Sequence, residues 1–214
     1  EYLRNDAAQT RVHDVTTAEA SLTLRYAPGE SFVNSKQRRI PVSLDAPIFT
    51  LTHAMGFKGV LGGEYSFNRT EASVWKRFWL PSSWGKIDCS IKAGAEWNTV
   101  PFPLLILPEA NLSYITQRET FNLINNMEFL NDRFASVSLS YDMNGKLFNR
   151  IPLIKNLKWR EMFRVRALWG TLTDKNNPFK SSNPDLFRFP MRDGKFTSFV
   201  MDPKIPYVEA SVGI

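Results

Sequence analysis

The chain alternates apolar and polar residues with a period of two over stretch after stretch. That rhythm fits only β-structure in which one face of a sheet meets apolar matter and the other meets water or polar groups. Residues 86–97 carry it most cleanly, with Ile87, Cys89, Ile91, Ala93, Ala95 and Trp97 on one side and Asp88, Ser90, Lys92, Gly94 and Glu96 on the other. Residues 19–26 set Ala20, Leu22, Leu24 and Tyr26 against Glu19, Ser21, Thr23 and Arg25, and Pro28-Gly29 then turns the chain. Residues 39–48 set Ile40, Val42, Leu44, Ala46 and Ile48 against Arg39, Ser43 and Asp45, with prolines that weaken pairing at both ends. In residues 134–143, Ala135, Val137, Leu139, Tyr141 and Met143 oppose Ser136, Ser138, Ser140 and Asp142, followed by the tight-turn pair Asn144-Gly145. Residues 207–214 repeat the design with Val208, Ala210, Val212 and Ile214.

A sixth segment, residues 158–172, separates a barrel from a soluble sandwich. It places Trp159, Phe163, Val165, Ala167 and Trp169 on one face and Arg160, Arg164 and Arg166 on the other, with Glu161 out of phase. Three arginines on one strand face are costly inside an apolar core unless paired, whereas a water-filled lumen hydrates them. Residues 64–80 are aromatic-rich but change phase near Arg69-Thr70, which fits a bulge or a turn between two strands. Residues 112–131 fit two strands or a short helix, and residues 174–194, with Asn176-Asn177-Pro178 and Asn183-Pro184, read as a long loop.

The unbroken run of apolar residues and proline that includes 101–108 falls far short of the roughly 20 residues a spanning helix requires. A slightly negative mean hydropathy is compatible with spanning strands, because their two faces average out. The sequence therefore predicts an all-β, antiparallel transmembrane outer-membrane β-barrel, with residues 1–214 forming part of one barrel domain. At about 9–11 residues per strand the length accommodates on the order of 8–12 strands. The chain opens on Glu1 and closes inside a strand at residues 207–214, so a longer protein is expected to supply the strands that close the barrel.

This geometry assigns the side chains. Arg160, Arg164, Arg166, Asp88, Lys92 and Glu96 are expected to face the lumen, as a charged surface that attracts an anionic solute, anchors a plug or stiffens the wall through salt bridges. Ile87, Ile91, Trp97, Val137, Leu139, Tyr141, Trp159, Phe163 and Trp169 are expected to face lipid or its interface. A net charge of +6 makes outer-membrane lipid and lipopolysaccharide expected neighbours, with other outer-membrane or periplasmic proteins as complex partners. No helix-turn-helix, zinc-finger or aromatic single-strand motif points to nucleic acid.

Catalytic chemistry finds little to work with, and no metal or cofactor is expected. There are two histidines, His13 in a polar segment and His53 read as a lumen or loop residue, and no Gly-x-Ser-x-Gly elbow. Cys89 falls on the apolar side of its strand, where a thiol is expected to be inert. The glycines of 56–63 read as a strand bend or hairpin tip.

Several ordered blocks resemble a known family: FPLLILPE at 102–109, Phe121-Asn122-Leu123, Glu128-Phe129, Asp132-Arg133, NRIPLI at 149–154 and LKWRE at 157–161. The chain is similar there to a Bacteroidota outer-membrane β-barrel family of unknown function whose members carry an N-terminal carboxypeptidase-regulatory-like domain. That family is distantly similar to BamA-type barrels, which insert or translocate other outer-membrane proteins. The resemblance implies a bacterial outer-membrane location and, by analogy, an assembly or secretion role.

The leading reading is thus a barrel without catalysis, acting in transport or translocation, in outer-membrane assembly or as a complex scaffold. A membrane-embedded barrel hydrolase acting on lipid or peptide stands second, and a soluble β-sandwich that binds ligands third.

Overall fold

The computed structural model describes residues 2–6, 8, 10–34, 36–113, 117 and 120–214. Seven strands form a single antiparallel sheet in strict chain order: β1 (Glu19–Tyr26), β2 (Ile48–Gly56), β3 (Phe67–Trp79), β4 (Lys86–Glu96), β5 (Arg133–Asp142), β6 (Met162–Thr171) and β7 (Tyr207–Gly213). Each pairs with its neighbour in sequence, and β1 and β7 form the two edges. Among the described residues, the other strand pairs are two-stranded and lie outside this sheet.

Four of the alternating stretches become β1, β4, β5 and β7 to within about a residue. Residues 39–48 do not form one strand. Arg39–Pro41 pairs only with Phe32–Asn34 in a small hairpin, and the ladder resumes at Ile48, because Pro41 and Pro47 have no N–H to give. Residues 64–80 hold one unbroken 13-residue strand, neither bulged nor divided. The phase change arises because Trp75 sits in the row of Ser73 and Arg77, while Lys76 sits in the row of Val74 and Phe78, where its Nζ reaches the carbonyl of Asp45 at 2.7 Å.

β6 starts at Met162, so Trp159 and Arg160 precede it. Lys158, at φ +54°, turns the chain before the strand begins. Residues 120–131 form neither a helix nor a strand ladder, only isolated bridges such as Ala110 to Phe121 and Ile106 to Asn131, and part of the 112–131 stretch lies outside the described residues. The main sheet holds seven strands where 8–12 were expected, because the described residues of 97–132, and residues 172–206, are long irregular connections. Residues 174–194 include a 3-10 turn at Asp174–Asn176 and, near their end, Met191–Arg192 of a short hairpin, yet Leu186, Phe187 and Phe189 are buried.

The sheet has an inner and an outer face. The core lies on the inner side at the Phe67 end, where Phe67, Val100, Phe102, Leu105, Leu130 and Phe187 pack together and Tyr2 stacks on Phe187 with ring centroids 5.4 Å apart. A second cluster of Phe121, Ile124, Leu168 and Met201 sits beside it. Two glycines on the inner face oppose phenylalanines on the next strand, Gly56 with Phe67 and Gly94 with Phe134. The rings lie where a Cβ would stand: one added at Gly94 would be 2.5 Å from the Phe134 ring. Gly94→Val should therefore destabilise the protein by about 1–3 kcal/mol in denaturant unfolding. An unchanged midpoint would mean that the ring packing is dispensable.

Candidate functional site

The register sorts the strand residues into two rows per strand. On the outer face lie Ile87, Ile91, Val137, Leu139, Tyr141, Phe163 and Trp169, alongside Leu22, Leu51, Val74, Val165 and Val212. Trp97 follows directly after β4 in the same row. This apolar surface is open: Leu22 is 64% exposed, Ile91 47% and Val212 73%, values foreign to a sheet face that packs on protein. No described segment covers it. Cys89 belongs to this face, and so does His53, which corrects the expectation of a lumen or loop position. Thr70 joins two of these outer residues near the rim, accepting from Trp97 Nε1 and bonding His53 Nδ1, each at 2.9 Å.

The inner face is polar and paired. Asp88, Lys92, Glu96, Arg164 and Arg166 all lie on it, while Arg160, ahead of β6, is exposed and belongs to neither row. Trp159 likewise stands outside the sheet, its ring 6.4 Å from Phe148. Arg77 grips Asp88 through two bonds of 2.6 and 2.9 Å, Lys86 approaches Asp142 at 3.5 Å and Lys92 meets Glu109 at 3.0 Å. A row of serines, Ser90, Ser136, Ser138 and Ser140, runs between them.

Three buried anchors tie the irregular segments to this face. Arg166 donates to Glu209 at 2.8 Å and to the carbonyl of Gln117 at 3.2 Å, and the Glu209 carboxylate accepts the backbone N–H groups of Asn122 and Leu123 at 3.0–3.2 Å. Glu96 accepts from the N–H groups of Asn68 and Asn98 at 3.2 Å, and Arg69 lies 3.7 Å from it while donating to the Leu104 carbonyl at 2.6 Å. Asp132 is fully buried; it accepts from the Thr173 hydroxyl, the Thr173 N–H at 3.1 Å and the Asn176 amide at 3.0 Å. Residues 97–132 and 172–206 are thereby held against the sheet by charge-assisted bonds, which are the stronger kind.

A cavity of about 170 Å³ remains between the sheet and residues 106–121, lined by Lys92, Glu109, Ser138, Phe121 and Arg166. Further along the strands a polar groove of about 290 Å³ opens between Trp75, Arg77, Asp88, Ser140 and Arg164. Sequence reasoning missed Glu209 as the partner of Arg166, and it assigned no role at the site to Asp132, Arg69 or Arg77. The row Arg69, Glu71, Ser73, Arg77 at every second position was the available signal, masked by Trp75.

Among the described residues, no group of three His, Cys, Asp or Glu side chains could hold a metal ion. His13 is exposed. Burial pushes the Tyr65 phenol above its ordinary range, in the connection between β2 and β3.

Residues 2–179 match the model of a family described as a family of unknown function (DUF5686), C-terminal domain. No curated protein and no solved structure matches the chain.

Proposed function

This chain belongs to that DUF5686 C-terminal domain family, and we propose that it forms part of the wall of a bacterial outer-membrane β-barrel, without catalysis, whose interior is obstructed at one end by its own segments. One observation carries this reading: an apolar, uncovered face continues across seven strands while the opposite face is ion-paired and serine-lined. The central strands, of 10–13 residues, have the length a tilted strand needs to cross a bilayer. Strands from the rest of the protein close the barrel between β1 and β7, since an open edge in lipid leaves N–H and C=O groups unsatisfied.

Among the roles open to such a barrel, the anchored inner segments favour a complex scaffold or an assembly component over a freely open pore. Any translocation would require residues 97–132 or 172–206 to leave the sheet. The likeness to Bacteroidota barrels with an N-terminal carboxypeptidase-regulatory-like domain, and more distantly to BamA-type barrels, supports the same location and class. Outer-membrane or periplasmic proteins are the partners this reading provides for.

Tryptophan quenching tests the membrane placement. In vesicles of acyl-chain-brominated lipid, fluorescence should be quenched. Trp97→Phe with Trp169→Phe should remove much of that quenching, while Trp75→Phe, on the inner face, should leave it intact. Recovery of a folded chain in detergent-free buffer, with no quenching by brominated lipid, would defeat the reading.

A further inference from the structure

We propose that the connection between β5 and β6, residues 143–161, is a docking element for the phosphate headgroups of an anionic lipid surface, an inference that rests on the membrane reading above. The segment carries Lys146, Arg150, Lys155, Lys158 and Arg160, with no acidic residue until Glu161. Elsewhere on the sheet, Arg25, Arg69, Arg77, Lys86, Lys92 and Arg166 each have a carboxylate partner. Among the described residues Arg150, Lys155, Lys158 and Arg160 have none and are exposed. Glu161, the one acid at the end of the segment, is buried and spends its carboxylate on the Phe148 N–H.

The same residues expose aliphatic and aromatic surface. Leu153 is 85% exposed, and Leu157, Ile151 and Trp159 are also open, around a 3-10 turn at Phe148–Arg150 and a single helical turn at Pro152–Lys155. Cations interleaved with uncovered apolar side chains match an interface in which the apolar groups enter the leaflet and the cations meet phosphate. Nucleic acid would be served by the cations alone and would leave Leu153 and Leu157 in water.

Position supports the same occupant. The segment springs from Asp142 and returns at Met162, where the outer row ends in Tyr141 and Phe163, their rings 6.4 Å apart. The segment thus joins the two strands at the end where the row that the membrane reading places in lipid finishes. Lys146 reaches across to the adjacent turn, donating to the Ser82 carbonyl at 2.8 Å and lying 5.3 Å from the centre of the Trp84 ring. Trp84 in that turn is itself 38% exposed.

Native mass spectrometry of the whole chain in detergent micelles, supplied with equal phosphatidylglycerol and phosphatidylcholine, tests the inference. The wild type should retain phosphatidylglycerol preferentially. The triple variant Lys155→Gln, Lys158→Gln, Arg160→Gln should lose that retention by about tenfold or more, while Lys58→Gln with Lys195→Gln, remote from this segment, should keep it. Equal retention of the two lipids, wild-type retention by the triple variant, or displacement of the lipid by millimolar inorganic phosphate overturns the inference. If the chain stays detergent-bound in those outcomes, the membrane reading survives them; a chain that leaves detergent and remains folded in buffer overturns both.

Discussion

Glu209→Ala should lower the unfolding free energy by about 3–5 kcal/mol, the largest single-residue effect expected in this molecule. The substitution takes the Glu209 carboxylate away from Arg166, whose side chain is only 2% exposed, and from the N–H groups of Asn122 and Leu123 at the same time. A buried pair gains little over an apolar substitute, but a buried charge left alone is expensive. The double change Arg166→Met with Glu209→Leu should therefore recover much of the loss, though not the part due to Asn122 and Leu123. Denaturant unfolding of the two variants in micelles decides the matter; a loss below about 1 kcal/mol for Glu209→Ala would match an exposed pair and disprove the anchoring role.

Ile91→Arg should cost about 2–4 kcal/mol when folding is measured into a bilayer, while Ile87→Arg, nearer the strand end on the same face, should cost about 0–1 kcal/mol. The contrast is diagnostic. Ile91 is already half open in the isolated chain, so in water an arginine there would be nearly neutral, and only hydrocarbon against that face gives a penalty that grows with depth. Equal and negligible costs at both positions would exclude lipid contact.

Much of this fold was legible before any coordinates. β4 and β5 alternate without a break, and their serines and aliphatic residues separate by parity alone. β3 was harder, because a tryptophan on the polar row and a lysine on the apolar row cancel the periodic signal at adjacent positions. β2 was overlooked: its outer row contains His53 and its inner row is threonine and alanine, so hydropathy barely alternates. The connections were opaque for a different reason. Phe102, Leu105, Phe121 and Phe187 have no periodicity of their own, and their burial follows from the inner face they lie on. Yet Phe102, Phe121, Asp132 and Glu161, all in the blocks that carried the family resemblance, are buried in this arrangement.

Arg166 was readable as a polar position but its partner was not, since pairing across strands depends on register. Met162 stands opposite Gly213, and that offset places Arg166 opposite Glu209. A one-residue slip would have turned the glutamate outward.

The order of anchors along the chain bears on how the molecule is assembled. Asn122 and Leu123 precede β5, β6 and β7 in the chain, yet the carboxylate that accepts their N–H groups belongs to β7. Glu209, one of the three anchors, lies 87 residues beyond Asn122. That anchor forms only once the seventh strand pairs with the sixth, so the register of this one pair also decides whether a segment far upstream is fixed to the sheet.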